Sequence, residues 1–127
     1  MSVALTEPQK ASIRESEDFW LATVRPTGAP HLVPIWAILV DEVIYMATPP
    51  KSQKVRNLLA NSGAVLSLPD TRNVLIMEGK SHILEQNAPT GVLKRFKEKY
   101  DWSFTPGEKW ILLDFVPSKI ICWESEE

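Results

Sequence analysis

The segment PHLVPIWAILV, residues 30–40, constrains the fold of this chain more than any other stretch. Read as a strand, it is apolar on both faces. One face carries His31, Val33, Ile35, Ala37 and Leu39, and the other carries Leu32, Pro34, Trp36 and Ile38. An antiparallel sheet usually leaves one face in water. The second face must therefore meet a covering helix, a ligand or another subunit.

A second segment, residues 109–123, repeats this pattern, with Ile111, Leu113 and Phe115 opposite Trp110, Leu112 and Val116. Two such strands in a short chain favour a dimer over a covering helix. Pro34 has no N–H, so the ladder is expected to break there and to leave neighbouring backbone groups free for a ligand.

The remaining apolar runs and turns predict a mainly β or α+β fold, an antiparallel barrel of about six strands with short flanking helices. The other predicted strands are 18–25, 43–48, 64–68 and 73–85, with a tight turn at 26–29 and a bulge at Gly79. Residues 18–48 would form a three-strand meander, and Pro117 would interrupt the last strand. The predicted helices are 6–16, 52–61 and 89–100, and the middle one buries Val55, Leu58 and Leu59.

Composition narrows the class of protein. The 127 residues carry a net charge of −2, which argues against a general nucleic-acid binder. One cysteine excludes a disulfide framework and a cysteine-built metal site. No apolar run approaches the roughly 18 residues of a membrane span, and no secretory leader is visible. These features predict a single domain over residues 1–127, located in the cytoplasm, with no nucleic-acid or membrane partner and no metal.

The stretch TPPKSQKVRN, residues 48–57, places Lys51, Lys54 and Arg56 at the start of a predicted helix. A helix start already carries a partial positive charge and free N–H groups, so cations are unfavourable there. Together these groups form an anion site, for which phosphate is a common occupant. Ser52 adds a hydroxyl that could cap the helix or bind the anion. Solvated surface lysines are the alternative, and the spacing alone does not decide between them.

No other polar residues form a nucleophile, base and acid set. His31 could donate a proton near a ligand, although a structural role at the start of a strand is favoured. His82 has no His or acidic partner at metal-ligand spacing. Cys122 is expected to pack as an apolar residue, and the mixed charges of residues 93–102 indicate a solvated helix face.

The segments LATVRPTGAPHLVPIW, IYMATPPKSQKVRNL, GAVLSL and MEGKSHIL resemble the split-barrel flavin-binding proteins related to pyridoxamine 5′-phosphate oxidase. The chain looks most similar to the small flavin- and deazaflavin-dependent oxidoreductases of that superfamily. The resemblance covers residues 15–125. It implies a six-stranded antiparallel split β-barrel, with FMN or the deazaflavin coenzyme F420 as cofactor. It also implies a homodimer with two cofactor sites at the subunit interface.

The resemblance also implies roles for individual residues. Ser52 and Lys54 match positions that bind the cofactor phosphate, with Gln53 and Lys51 beside them. Ala47 and Thr48 match positions near the phosphate or the ring edge. The strand positions that back the ring are matched by Val33, Pro34, Ile35 and Trp36. Asn57 matches a helix position that holds the loop together. Trp110 and Trp123 are candidates for an aromatic wall contributed by the partner subunit, although plain packing in the core or at the interface is favoured for each.

Two departures from the family pattern bear on function. The vitamin-metabolising oxidase uses arginines near its C terminus to hold the substrate phosphate, and this chain has no arginine after Arg95. Pyridoxamine phosphate is therefore not expected as the substrate. Gln53 stands where many relatives have a basic residue, which leaves FMN and deazaflavin both open. The resemblance implies hydride transfer to a small electron-poor acceptor; a non-catalytic flavin or haem carrier and a structural dimer with a decayed phosphate site are the alternatives.

Overall fold

The computed structural model describes residues 3–85 and 87–124. Within them lie three helices and eight strands. The helices are α1 (Glu7–Glu15), α2 (Gln53–Ala60) and α3 (Val92–Tyr100). The strands are β1 (Phe19–Val24), β2 (Pro30–Ile35), β3 (Ala37–Val40), β4 (Val43–Thr48), β5 (Gly63–Ser67), β6 (Asn73–Lys80), β7 (Ile83–Leu84) and β8 (Ile111–Glu124).

All strand pairs are antiparallel, in the order β2-β1-β5-β6-β8-β4-β3, with β7 beside β8. The predicted mainly β barrel with flanking helices is confirmed, although it has eight strands instead of six. The extra strands arise because two predicted strands are each divided. Residues 73–85 form β6 and β7, and residues 30–40 form β2 and β3.

The barrel is split at Trp36. β2 and β3 are consecutive along the chain, yet they lie at the two ends of the strand order. The predicted single strand over 30–40 is therefore wrong, and so is the three-strand meander, because β1–β2 and β3–β4 are separate pairs. A strand that changes sheets at a bend is a common way to build such a corner. Apolar residues on both faces gave no sign of where this bend would occur.

β8 joins the two halves of the barrel. Its residues Ile111–Phe115 pair with β4, and Val116–Glu124 pair with β6. The predicted bulge is confirmed by a register shift between Glu78 and Gly79. A Cβ on Gly79 would lie only 2.2 Å from the carbonyl oxygen of Val116, so no larger residue fits. This bulge lets β8 continue through Pro117, which does not interrupt the strand as predicted.

The second apolar faces of the predicted strands 30–40 and 109–123 are only partly covered. Ile38 of β3 and Leu112 of β8 are buried under Val92 and Phe96 of α3. A helix therefore covers this part, which is the alternative that the sequence analysis disfavoured. On β2, in contrast, Leu32 is 61% exposed.

α1 is fixed at its start by a capping box, in which Thr6 accepts from the N–H of Gln9 and the Gln9 side chain accepts from Thr6. Its one buried residue, Ile13, joins the core between the sheets. In α2, Val55 and Leu58 are buried as predicted, but Leu59 is 71% exposed. No helix in the described ranges combines the length and apolar character needed to cross a membrane.

Candidate functional site

A cavity of about 500 Å³ opens at the split in the barrel. Its lining comes from the ends of β2 and β4, from the turn before α2 and from the segment after α3. The lining residues are Asp18, Pro34, Ile35, Trp36, Ala47, Thr48, Pro49, Lys54, Trp102 and Trp110. Among the predicted site residues, the structure thus brings together Pro34, Ile35, Trp36, Ala47, Thr48 and Lys54. The volume of this cavity lies in the range of small-molecule and cofactor sites.

The cavity lies here because β2 is an edge strand. In the described sheet β2 pairs only with β1, so alternate backbone N–H and C=O groups of residues 30–35 point away from the ladder. Pro34 and Ile35 are two of the lining residues from this edge. The ladder does not break at Pro34 as predicted, because Pro34 pairs with Trp20 and Ile35 pairs with Phe19. The edge can therefore bind a flat polar group through its main chain.

The start of α2 closes one side of the cavity. Ser52 is the N-cap residue, but its side chain forms no capping hydrogen bond. Instead, its hydroxyl lies 3.1 Å from the hydroxyl of Thr48. The first N–H groups of the helix consequently have no side-chain cap, and two hydroxyls lie beside them. This arrangement provides hydrogen-bond donors for an anion.

Lys54 lines the same cavity in a half-buried position. Burial lowers the pKa of its ammonium group, because a charge is less stable away from water. Among the described residues, Lys54 has no ion pair and no side-chain hydrogen bond. A cation held at a helix start without an acidic partner is unfavourable unless an anion binds there.

The neighbouring polar residues of α2 lie outside the cavity lining and bind one another. Arg56 donates 2.7 Å hydrogen bonds to the carbonyl oxygen of Lys51 and to Oε1 of Gln53. Gln53 in turn donates to Oδ1 of Asn57 at 2.8 Å. The predicted site residues Lys51, Ser52 and Gln53 therefore surround the lining, and Val33 lies on β2 one residue before it.

Asn57 is fully buried, so it is separated from the cavity. Its Nδ2 donates to the hydroxyl of Thr23 on β1 at 2.9 Å, and Thr23 is also buried. This bond joins α2 to the barrel. The structure therefore places Asn57 as the residue that positions α2, in line with the role of holding the loop together.

Sequence reasoning named Trp36 and Trp110 but missed Trp102 and Tyr100, which complete and support the aromatic wall of the cavity. The ring of Trp36 stacks on Tyr100, with centroids 4.4 Å apart and planes 5° apart. Trp102 meets Trp36 edge-on at 5.9 Å and Trp110 at 4.9 Å. The signal was available in the sequence, because residues 100–110 contain Tyr100, Trp102, Phe104 and Trp110.

The structure refines two expectations. The mixed charges of residues 93–102 lie mostly in water as expected, with Lys94, Lys97 and Glu98 exposed, whereas Lys99 is partly buried and donates to two backbone carbonyl groups. Trp110, a candidate for a wall contributed by the partner subunit, lines the cavity of its own chain. Trp123 is 53% exposed and pairs with Val74 on β6, and it does not line this cavity.

The two histidines and the cysteine also lie outside the cavity lining. The pKa of His31 is lowered by burial and by the nearby charges of Arg25 and Lys54, and its Nδ1 atom is buried without a hydrogen bond in the described part of the chain. Nδ1 of His82 lies 3.4 Å from Asp114. Cys122 is exposed, contrary to the expectation that it would pack as an apolar residue.

The chain is similar to known proteins in sequence and in fold. The family model described as pyridoxamine 5′-phosphate oxidase matches residues 5–114. A conserved hypothetical protein from Mycobacterium tuberculosis is 24% identical, with a TM-score of 0.78 over 97% of this chain and 87% of that one. An F420 reductase is 25% identical, with a TM-score of 0.74 over 92% of this chain and 98% of that one.

The haem storage protein HutZ from Vibrio cholerae shares the fold at 18% identity, with a TM-score of 0.77 over 94% of this chain and 96% of that one. A search of curated proteins finds no match.

Proposed function

Since the chain belongs to the pyridoxamine 5′-phosphate oxidase family, we propose that it is an oxidoreductase that uses FMN or the deazaflavin coenzyme F420. Its reaction is hydride transfer between the bound cofactor and a small electron-poor organic molecule. One observation carries the proposal. The half-buried ammonium group of Lys54, which lacks an acidic partner among the described residues, shares a cavity with the flat aromatic surface of Trp36.

The cavity suits both chemical parts of such a cofactor. A phosphate group requires cationic and N–H donors, which Lys54 and the start of α2 provide beside the hydroxyls of Ser52 and Thr48. A tricyclic ring requires a flat apolar surface with polar groups at its edge. Trp36 supplies the surface, and the free edge of β2 at Pro34 and Ile35 supplies the polar groups.

The bound cofactor would supply the hydride. The residues of this chain would orient the ring, hold its phosphate and exclude water. Trp102 and Trp110 also line the cavity and would help to keep the reacting face dry. Asp18 is the only carboxylic acid among the lining residues.

The charge of the lining also bears on the substrate. Lys54 is the only cation among the lining residues, and the cofactor phosphate would occupy it. A second phosphate, such as that of pyridoxamine phosphate, would have no cationic partner there. We therefore infer a substrate without a phosphate group.

The fold of the haem storage protein makes a haem carrier the main alternative. The cavity lining contains no histidine, cysteine, methionine or tyrosine. These are the side chains that commonly bind haem iron. The lining thus favours a flavin or deazaflavin over haem.

We also propose that the protein is a homodimer. The β1–β2, β1–β5, β5–β6 and β6–β8 registers align a row across five strands on the outer face of the barrel. This outer row consists of Pro34, Trp20, Ser67, Ile76 and Ile121. Leu32 and Trp123, both more than half exposed, lie next to it on β2 and β8. Burying this row against a second copy would remove a large apolar surface from water.

Turnover separates an enzyme from a carrier. The purified protein would be loaded under anaerobic conditions with reduced FMN or reduced F420, and then mixed with a panel of electron-poor acceptors. We expect reoxidation of one cofactor to be coupled one-to-one to reduction of an acceptor. Tight binding of either cofactor without accelerated reoxidation would favour a carrier. A Soret band on titration with haem, with no binding of either cofactor, would contradict the proposal.

A further inference from the structure

The two ends of the cavity differ in charge. Asn57, about one turn after Lys54 in α2, donates a hydrogen bond to Thr23, which pairs with His31, so Lys54 lies near the start of β2. Asp18 precedes Phe19, which pairs with Ile35 at the other end of β2. His31 and Ile35 are four steps apart along the strand, roughly 13 Å. The cavity therefore has a cationic end at Lys54 and an acidic end at Asp18.

The carboxylate of Asp18 has no protein partner in the described part of the chain. It forms no ion pair there, and the one hydrogen bond at this residue goes from the Ser16 hydroxyl to the Asp18 carbonyl oxygen. It also contributes to the raised pKa of Tyr100, about 12, of which burial is the main cause. Asp18 thus adds to the cavity lining a negative charge that has no ion-pair partner among the described residues.

Trp36 lies toward the Asp18 end, because it stacks on Tyr100, whose hydroxyl donates to the carbonyl oxygen of Glu17. Trp102 stands edge-on to both Trp36 and Trp110, at interplanar angles of 77° and 82°. Phe104 stacks on Trp102 at 4.3 Å. The rings form a corner that can receive a planar group, and their faces favour a cation.

We propose that the Asp18 end of the cavity is the binding subsite for the hydride acceptor, and that it selects planar aromatic molecules that are cationic or neutral over anionic ones. This inference rests on the proposed function, because it requires the cofactor ring at Trp36 and its phosphate at Lys54. The acceptor would then lie against Trp102, with any amino or hydroxyl substituent near Asp18.

Three naphthalene derivatives of similar shape test the preference without any redox chemistry. They are the cationic 1-naphthylmethylamine, the neutral 1-naphthalenemethanol and the anionic 1-naphthoate. Calorimetric titration of the full-length protein, saturated with FMN to occupy Lys54, would give the three dissociation constants. We expect the order cation, neutral, anion from tightest to weakest.

Asp18→Asn should reduce the ratio of cation to anion affinity by about fivefold, since an exposed charge pair changes a binding free energy only modestly. Glu17→Gln is the matched control. It removes the same charge one residue away, and Glu17 does not line the cavity, so the ratio should change by less than about twofold. Binding of the neutral compound should be unchanged in both variants, which excludes misfolding as the cause.

Equal affinity for all three compounds, or an unchanged ratio in Asp18→Asn, would overturn the inference. The proposed function and the acceptor subsite can fail separately. Failure of both FMN and F420 to bind would count against the proposed function. Normal cofactor binding with no charge preference would count against the acceptor subsite alone.

Discussion

The indole ring of Trp36 lies parallel to the phenol ring of Tyr100, with centroids 4.4 Å apart and 5° between the planes. The Tyr100 hydroxyl accepts a 3.0 Å hydrogen bond from the N–H of Ala37 and donates a 2.7 Å bond to the carbonyl oxygen of Glu17. The residue at the split of the barrel is therefore fixed by α3. The stacking of Trp36 on Tyr100 therefore fixes both the bend between β2 and β3 and one wall of the cavity.

Tyr100→Phe separates the hydrogen bonds of Tyr100 from its stacking. Loss of the hydroxyl leaves the part-buried N–H of Ala37 without this partner, which should lower the free energy of unfolding by about 1–2 kcal/mol. The ring still supports Trp36, so cofactor affinity should change by less than about threefold. Urea denaturation and cofactor titration measure the two effects. Tyr45→Phe is the control, since the Tyr45 hydroxyl forms no hydrogen bond with the described residues, and a loss of the same size there would refute the assignment.

Trp36→Ala should weaken cofactor binding more than folding. The side chain is 45% exposed, so its removal should cost the fold only about 1 kcal/mol. If its outer face backs the cofactor ring, affinity should fall by at least about tenfold. A folded variant with wild-type affinity would show that Trp36 packs against Tyr100 without contacting the cofactor.

Lys99 should make stability depend on pH. Its ammonium group donates to the carbonyl oxygens of Ile13 and Ala37, and burial lowers its pKa to about 8. The unfolded chain keeps this proton up to about pH 10.5. Between these values the unfolded state binds more protons, so the stability conferred by this group rises with pH.

Urea denaturation between pH 7 and pH 9.5 measures this dependence. Lys54 shifts in the same direction, also through burial. The rise should be smaller in Lys99→Met than in the wild type, because the variant lacks the titrating group. The same slope in both proteins would contradict the assignment.

Leu32→Asp should dissociate the proposed dimer, because it places a charge beside the outer row of apolar residues that includes Trp20 and Pro34. A specific interface typically buries about 1,600 Å², and a desolvated charge inside it is costly. Leu59→Asp is the matched control, since Leu59 is 71% exposed on α2. Light scattering at micromolar concentration should show a monomer for the first variant and a dimer for the second. A monomeric wild type would refute the dimer.

The sequence predicted the fold well where local rules decide it. The helix start at residue 6, the tight turn at 26–29 and the bulge at Gly79 were all correctly located; Thr6 caps the helix, and Gly28 in the turn is left-handed with φ of 92°. Each depends on backbone geometry that few other residues can adopt. The split at Trp36 could not be predicted in this way. It depends on which strands pair at long range, and the apolar residues on both sides of it fit either sheet.

The residues of the candidate site were also predicted only in part. The resemblance located Pro34, Trp36 and Lys54, which the fold brings into one cavity. Trp102 and Asp18 were not identified, because they come from loops whose positions depend on the packing of α1 and α3. The sequence showed that aromatic residues cluster at 100–110, but it did not show that they face the cavity. Loop residues lack the periodicity that distinguishes one face from another.

The most direct test of the account is to compare Lys54→Ala with the wild type in cofactor affinity and in stability without cofactor. A charge-assisted hydrogen bond contributes about 1.5–3 kcal/mol, so affinity for FMN or F420 should fall by roughly one to two orders of magnitude. Lys51→Ala should have a smaller effect, because Lys51 does not line the cavity. Stability of the cofactor-free variant should be unchanged or slightly higher, since Lys54 is a half-buried cation at a helix start. Unchanged affinity for both cofactors together with lower cofactor-free stability would show that Lys54 is structural and would contradict the proposed site.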